Sequence, residues 1–148
     1  MKVAQFLALI FTALALVPSG AHLFAMPNKI DLSEANYFIT QNVYRGWDLL
    51  GIVLVGAVVT NLALAIVLRA QRTPFLLALV SLIAQLATLA IFFAFVFPAN
   101  VATRNWTAIP DNWEPLRWQW EMGHAVNAVI AFAGFCALAA SVLTTRRD

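Results

Sequence analysis

The sequence predicts an all-α integral membrane protein: one four-helix bundle over residues 1–148, both termini cytoplasmic, with two elaborated outer loops. Three observations predict it. Hydrophobic residues make up 62% of the 148-residue chain and charged ones 11%, against roughly a quarter charged in a soluble domain. The mean hydropathy is +0.81. Four apolar runs, about 3–23, 47–68, 74–97 and 118–143, each supply the roughly 20 helical residues that cross a hydrocarbon core of about 30 Å. None alternates as a strand would, and in lipid only helices or closed barrels satisfy the backbone.

The first run has two readings. Lys2, an apolar core and the small residues Ser19, Gly20 and Ala21 form a secretory-signal pattern. Cleavage there would leave His22 as a new N-terminal residue able to hold copper through its amine and ring. Positions 5, 8, 12, 15, 19 and 22, however, read Gln, Ala, Thr, Ala, Ser and His. Such a small-and-polar stripe at heptad spacing marks a helix packed permanently against others, and a retained helix is the preferred reading.

The second run follows Gly46, a break after a mixed polar loop in which Ser33 is placed to cap a short helix. The third starts at Pro74 and closes near Asn100. The fourth has an early start signal: Asp111 and Glu114 flank its beginning, and Pro115 sits in the first turn, where a missing N–H does no harm. That helix is expected to begin near Asn112 and rise above the bilayer before entering it at Trp118. The single cysteine, Cys136, lies within this run; it excludes an intrachain disulfide and reads as a small lipid- or core-facing residue.

Charge sets the orientation. Lys2, Arg69, Arg72, Arg146 and Arg147 fall at one end; Lys29, Arg45, Arg104 and Arg117 fall at the other, with six of the seven acidic residues. The connection from Arg69 to Pro74 is short, and short loops weigh most in the positive-inside rule. All five tryptophans lie at the opposite end, where indoles favour the headgroup region. The excess of two basic charges forms no aromatic-interleaved basic patch, which excludes a nucleic-acid surface.

The polar residues inside the runs are unevenly placed. At 100° per residue, Arg117, Glu121, His124 and Asn127 share one arc of the fourth helix. His22 ends the stripe of the first helix, Asp48 opens the second and Asn100 closes the third. The helices thus deliver His22, Asp48, Asn100, Glu121 and His124 to one end. Ionisable residues in a membrane are functional candidates by default. The bland readings are that Arg117 pairs with Glu121 at i, i+4, and that His124 hydrogen-bonds a loop carbonyl. Deeper down, Asn61, Ser81, Gln85 and Thr88 are expected to hydrogen-bond between helices.

Several chemistries fit these residue types. The Glu121-x-x-His124 spacing occurs in di-iron bundles, which need a second such motif and further glutamates that the runs lack. His22 and His124 could ligate a b-type haem axially, or join one carboxylate around a single metal. A histidine–carboxylate pair could instead act without a metal, as a general base that removes a proton from an acidic carbon.

The segments "SGAHLFAMPNKI", "YRGWDLLG", "FPAN" and "WEPLRWQWEMGHAVN" resemble the anthrone-oxygenase-like membrane proteins, over nearly the whole chain. The resemblance implies a compact four-helix bundle. For the fungal members that give the family its name, it implies oxidation of anthrones to anthraquinones by molecular oxygen with no evident cofactor. The positions that match are His22, Pro27, Asn28, Asn100, Arg117, Trp120, Glu121 and His124.

The resulting expectation is a multi-pass protein of the inner (plasma) membrane, solvated by lipid, with a pocket at its outer end. His22, Glu121 and His124 are the catalytic candidates. Asn28, Asp48, Asn100, Arg117, Trp120 and Asn127 are candidates to bind or orient a lipophilic, aromatic small molecule. No cofactor is assigned, with haem or a metal on His22 and His124 as the alternative, and a homo-oligomer is compatible with the composition. The rival function is a non-catalytic accessory or ligand-binding membrane protein, followed by an electron-transfer bundle.

Overall fold

A computed structural model describes residues 1–146; Arg147, one of the charges from which the orientation is read, lies outside them. Every element of the described residues is helical: α1 (Lys2–Lys29), α2 (Glu34–Gln41), α3 (Gly51–Leu68), α4 (Arg72–Ile91), α5 (Phe97–Ala102) and α6 (Trp113–Thr144). Two 3₁₀ turns (Asn42–Tyr44 and Trp47–Leu50) lie between α2 and α3, the second leading into α3, and a π-helical turn (Phe92–Val96) joins α4 to α5. Four helical stretches are long and apolar enough to cross a membrane: Lys2–Lys29, Trp47–Leu68, Arg72–Ala102 and Trp113–Thr144. They make this a multi-pass membrane protein.

Three of the four are longer than the apolar runs suggest. The 31 residues from Arg72 to Ala102 extend about 46 Å at 1.5 Å per residue, well beyond a hydrocarbon core of about 30 Å. The excess falls at the tryptophan-rich end. There α6 begins at Trp113 with Asn112 as its cap, as its start signals indicate. Ser33 precedes α2 with extended backbone, but its side chain makes no capping bond. Gly46 adopts φ 85°, a left-handed conformation that glycine takes without steric cost, and it separates the outer loop from the turn that leads into α3.

α1 packs against α3 and α6, and α4 packs against the same two. The stripe on α1 faces inward: Ala8, Thr12, Ala15 and His22 are buried. The bundle is layered along its length. At the terminal end, Ala8, Leu64, Ala65, Leu68, Ala78 and Leu138 form an aliphatic cluster. At the tryptophan end, Tyr37, Phe38, Val96, Ala99, Trp106 and Trp120 form an aromatic one. The turns between carry small and polar residues, among them Thr12, Asn61, Gln85 and Asn127. Cys136 is exposed on the outside of α6.

The expected interhelical bonds form only in part. Asn61 donates to Thr12 Oγ1 at 2.8 Å, joining α3 to α1. Thr88 instead returns to its own helix at the Gln85 carbonyl, while the side chains of Ser81 and Gln85 are buried with no partner. Close approach does the joining here. A Cβ added to Gly134 would sit 2.7 Å from Ala84 Cβ and 3.3 Å from Gln85 Nε2. Gly134→Val is therefore expected to cost about 1–3 kcal/mol by overpacking, read as a lower unfolding midpoint in detergent. At Gly56 the Cβ added by Gly56→Ala would overlap the ring of Phe11, so that substitution is also expected to lower the midpoint.

Candidate functional site

The π-turn shapes the tryptophan-rich end of the bundle. A π-turn breaks the i→i−4 ladder and shifts the register of the next helical residues. Here the Phe95 carbonyl accepts a hydrogen bond from Gln119 Nε2 at 2.7 Å. The turn brings Val96 against Gly123, where an added Cβ would lie 2.9 Å from Val96 Cγ2. One turn on, Asn100 Oδ1 accepts from both Trp120 Nε1 (2.8 Å) and Trp106 Nε1 (3.2 Å).

Trp106 is held by strained backbone. Arg104, Asn105 and Trp106 have φ of 48°, 55° and 63°, three successive left-handed residues with no glycine among them. Each such residue costs about 1–2 kcal/mol and persists only where surrounding contacts over-determine it. Those contacts are explicit. Thr103 Oγ1 accepts from Trp106 N at 3.1 Å, the Thr103 carbonyl from Thr107 N and Ala108 N, and the Asn100 carbonyl from Asn105 N at 2.7 Å. Asn100→Ala would strand two indole N–H groups, each worth about 1–3 kcal/mol when unpaired. The expected result is a loss of about 2–4 kcal/mol with a red-shifted tryptophan emission.

Between these tryptophans, His22 from α1 and His124 from α6 stack with ring centroids 3.8 Å apart and planes 19° from parallel. Trp120 meets both edge-on, at 4.9 Å from His22 and 4.3 Å from His124. Tyr44 and Trp47, on the two sides of Gly46, close on His22 at 4.3 and 5.5 Å. The pair forms part of the wall of an open cleft of about 400 Å³ whose lining includes Tyr44, Trp47, Trp106 and Trp120. That volume falls within the range of small-molecule sites. Asp48 and Asn100 line it too.

The stack limits what the histidines can hold jointly. Nitrogen lone pairs lie in the ring planes, so rings that face one another nearly in parallel do not converge on one ion. Two axial haem ligands stand on opposite faces of a macrocycle, with each nitrogen about 2 Å from the metal; rings in face-to-face contact leave no such space. Among the described residues, no group of three or more His, Cys, Asp and Glu side chains could hold a metal ion.

Glu121 stands outside the cleft wall. It is 1% exposed, and Oε1 receives both the Tyr37 hydroxyl at 2.9 Å and Lys29 Nζ at 3.0 Å. The lysine contact is an ion pair without the alignment of a hydrogen bond. Its ammonium also lies over the faces of Tyr44 (4.6 Å) and Trp120 (4.9 Å), both of which line the cleft. Burial, then the adjoining Glu121 carboxylate, raises the Tyr37 hydroxyl above the ordinary tyrosine range.

The i, i+4 pairing of Arg117 with Glu121 does not form. Arg117 donates to the Leu32 carbonyl at 2.8 Å and lies over Trp113 at 4.6 Å, because Lys29 already occupies the carboxylate. Asn28 is exposed and outside the cleft lining. Asn127 is buried below it, its Oδ1 unpartnered. Lys29, Tyr37, Gln41 and Trp106 are the neighbours that sequence reasoning does not single out. For Lys29 a signal was present, since it continues the α1 stripe one heptad beyond His22. Compared with models of protein families, with curated proteins and with solved structures, the chain matches none of them, so a reading of its function rests on the residues of this cleft.

Proposed function

We propose that the protein binds a lipophilic aromatic molecule in the cleft at the tryptophan-rich end and oxygenates it, with the His22–His124 pair as the base. The observation that carries this is the 3.8 Å histidine stack in a wall of aromatic rings. A neutral imidazole offers one lone-pair nitrogen, and aromatic walls accept a planar substrate by stacking. The resemblance to the anthrone-oxygenase-like proteins supports the reaction. His124 removes a proton from a benzylic CH₂ acidified by a conjugated carbonyl. The carbanion adds O₂ and gains a proton to give a hydroperoxide. Loss of the remaining C–H proton, with cleavage of the O–O bond, then expels water and leaves a ketone. In sum, CH₂ and O₂ become C=O and H₂O; the carbon gives up four electrons and dioxygen accepts four.

The cleft faces outward from the plasma membrane in this reading, with both termini cytoplasmic and the helices in lipid contact. Arg69 and Arg72 flank the shortest connection, whereas Lys29 and Arg117 at the other end are turned inward onto Glu121 and the Leu32 carbonyl. A reading of ligand binding without chemistry is the alternative outcome of the same test. Detergent-purified protein should consume oxygen only when given an aromatic substrate with an acidic CH₂, and should release the ketone. Binding of such molecules without oxygen uptake would overturn the oxygenase step and leave a binding protein.

A further inference from the structure

Once the internal contacts are assigned, few buried polar side chains in the cleft wall are left without a partner. Asn100 Oδ1 is taken by two indoles. Asn42 bonds the Phe38 and Ile39 carbonyls and accepts from Arg45. Two buried side chains of the lining remain without a partner. His22 is 5% exposed and its Nδ1 has no partner; Gln41 is 6% exposed and neither Nε2 nor Oε1 makes a hydrogen bond. The Tyr37 hydroxyl, which donates to Glu121, lies close enough to Gln41 for its amide to act on it as a hydrogen-bond donor that favours the ionised hydroxyl, but the two side chains do not meet in a formed bond.

Gln41 stands out on α2. The buried face of that helix is Tyr37, Phe38 and Gln41; the first two enter the aromatic cluster, and the third brings an amide into it. A buried amide without partners is costly and native proteins rarely keep one. The formal charges in the lining, Arg45 and Asp48, are on exposed residues, so the depth of the cleft offers neutral groups alone.

We propose that Gln41 reads the polar edge of the ligand. The cleft takes a planar, uncharged aromatic molecule that presents a hydrogen-bond donor and an acceptor side by side along one edge, and the Gln41 amide answers both with its oxygen and its N–H. A cyclic lactam fused to an aromatic ring carries this edge in its simplest form. The assignment rests on the reading of the cleft as an aromatic site and adds the polar selection within it.

The test uses the full chain in detergent, two probes of nearly equal shape, and quenching of tryptophan emission, since Trp47, Trp106 and Trp120 line the cleft. Isoquinolin-1(2H)-one has the donor–acceptor edge and naphthalene has none. Two net hydrogen bonds predict a preference of about tenfold or more for the lactam in the natural protein. In Gln41→Leu and Gln41→Met that preference should fall below about twofold, while naphthalene still binds; its binding shows that the variant cleft is intact. Equal binding of the two probes by the natural protein, or a preference that survives both substitutions, would overturn the role of Gln41 and leave the aromatic site standing. Binding of neither probe would overturn the aromatic site itself, and this inference with it.

Discussion

Glu121→Gln is expected to destabilise the protein by about 3–5 kcal/mol, more than the losses expected at Gly134 or Asn100. The amide can still accept from the Tyr37 hydroxyl, but Lys29 is left as an ammonium 3% exposed, with only ring faces beside it. Lys29→Met should cost a similar amount by stranding the carboxylate. The double variant Lys29→Met/Glu121→Gln removes both charges together and should be more stable than either single one, because a buried pair contributes little net while half a pair costs much. A thermodynamic cycle from reversible unfolding in mixed detergent measures this. Additive losses in the double variant would mean that the two groups do not depend on each other, contrary to their 3.0 Å contact.

His124→Ala is expected to lower the turnover number for oxygen uptake by about 10²- to 10⁴-fold, the usual worth of a positioned general base. KM should change little, since the aromatic walls remain. His124 makes no side-chain hydrogen bond among the described residues and opens onto the cleft, so the truncation leaves space that the cleft already adjoins. The melting temperature should fall by a few degrees at most. His22→Ala should be comparably slow, and the double variant scarcely slower than either, because groups that act as a unit are not additive. A proportionate fall in melting temperature and uptake would identify the stack as a structural contact instead.

The four helices were legible because lipid imposes a strong rule on sequence. Runs such as Gly51–Leu68 have no other way to satisfy their backbone, and the α1 heptad stripe marks the inward face directly. His22 and His124 were legible as residues of one end, by counting turns. Their stacking was not, since it depends on ring rotation and on Trp120 and Tyr44 closing from two other elements. The pairing of Glu121 went to Lys29 rather than Arg117. Sequence spacing favours the i, i+4 neighbour, but the more buried partner arrives from the far end of another helix. Trp106 was hidden for a further reason. Nothing in "RNW" announces three left-handed residues, because the backbone there is imposed by Thr103 and Asn100 and not by local preference.

The layering of the core fixes the traffic of the molecule. Leu64, Leu68 and Leu138 are at most 1% exposed, and they close the terminal end with side chains that offer water and ions nothing to hold. Whatever the proposed cleft takes in meets a closed aliphatic layer below it, so the bundle has the form of a cup and not of a tube.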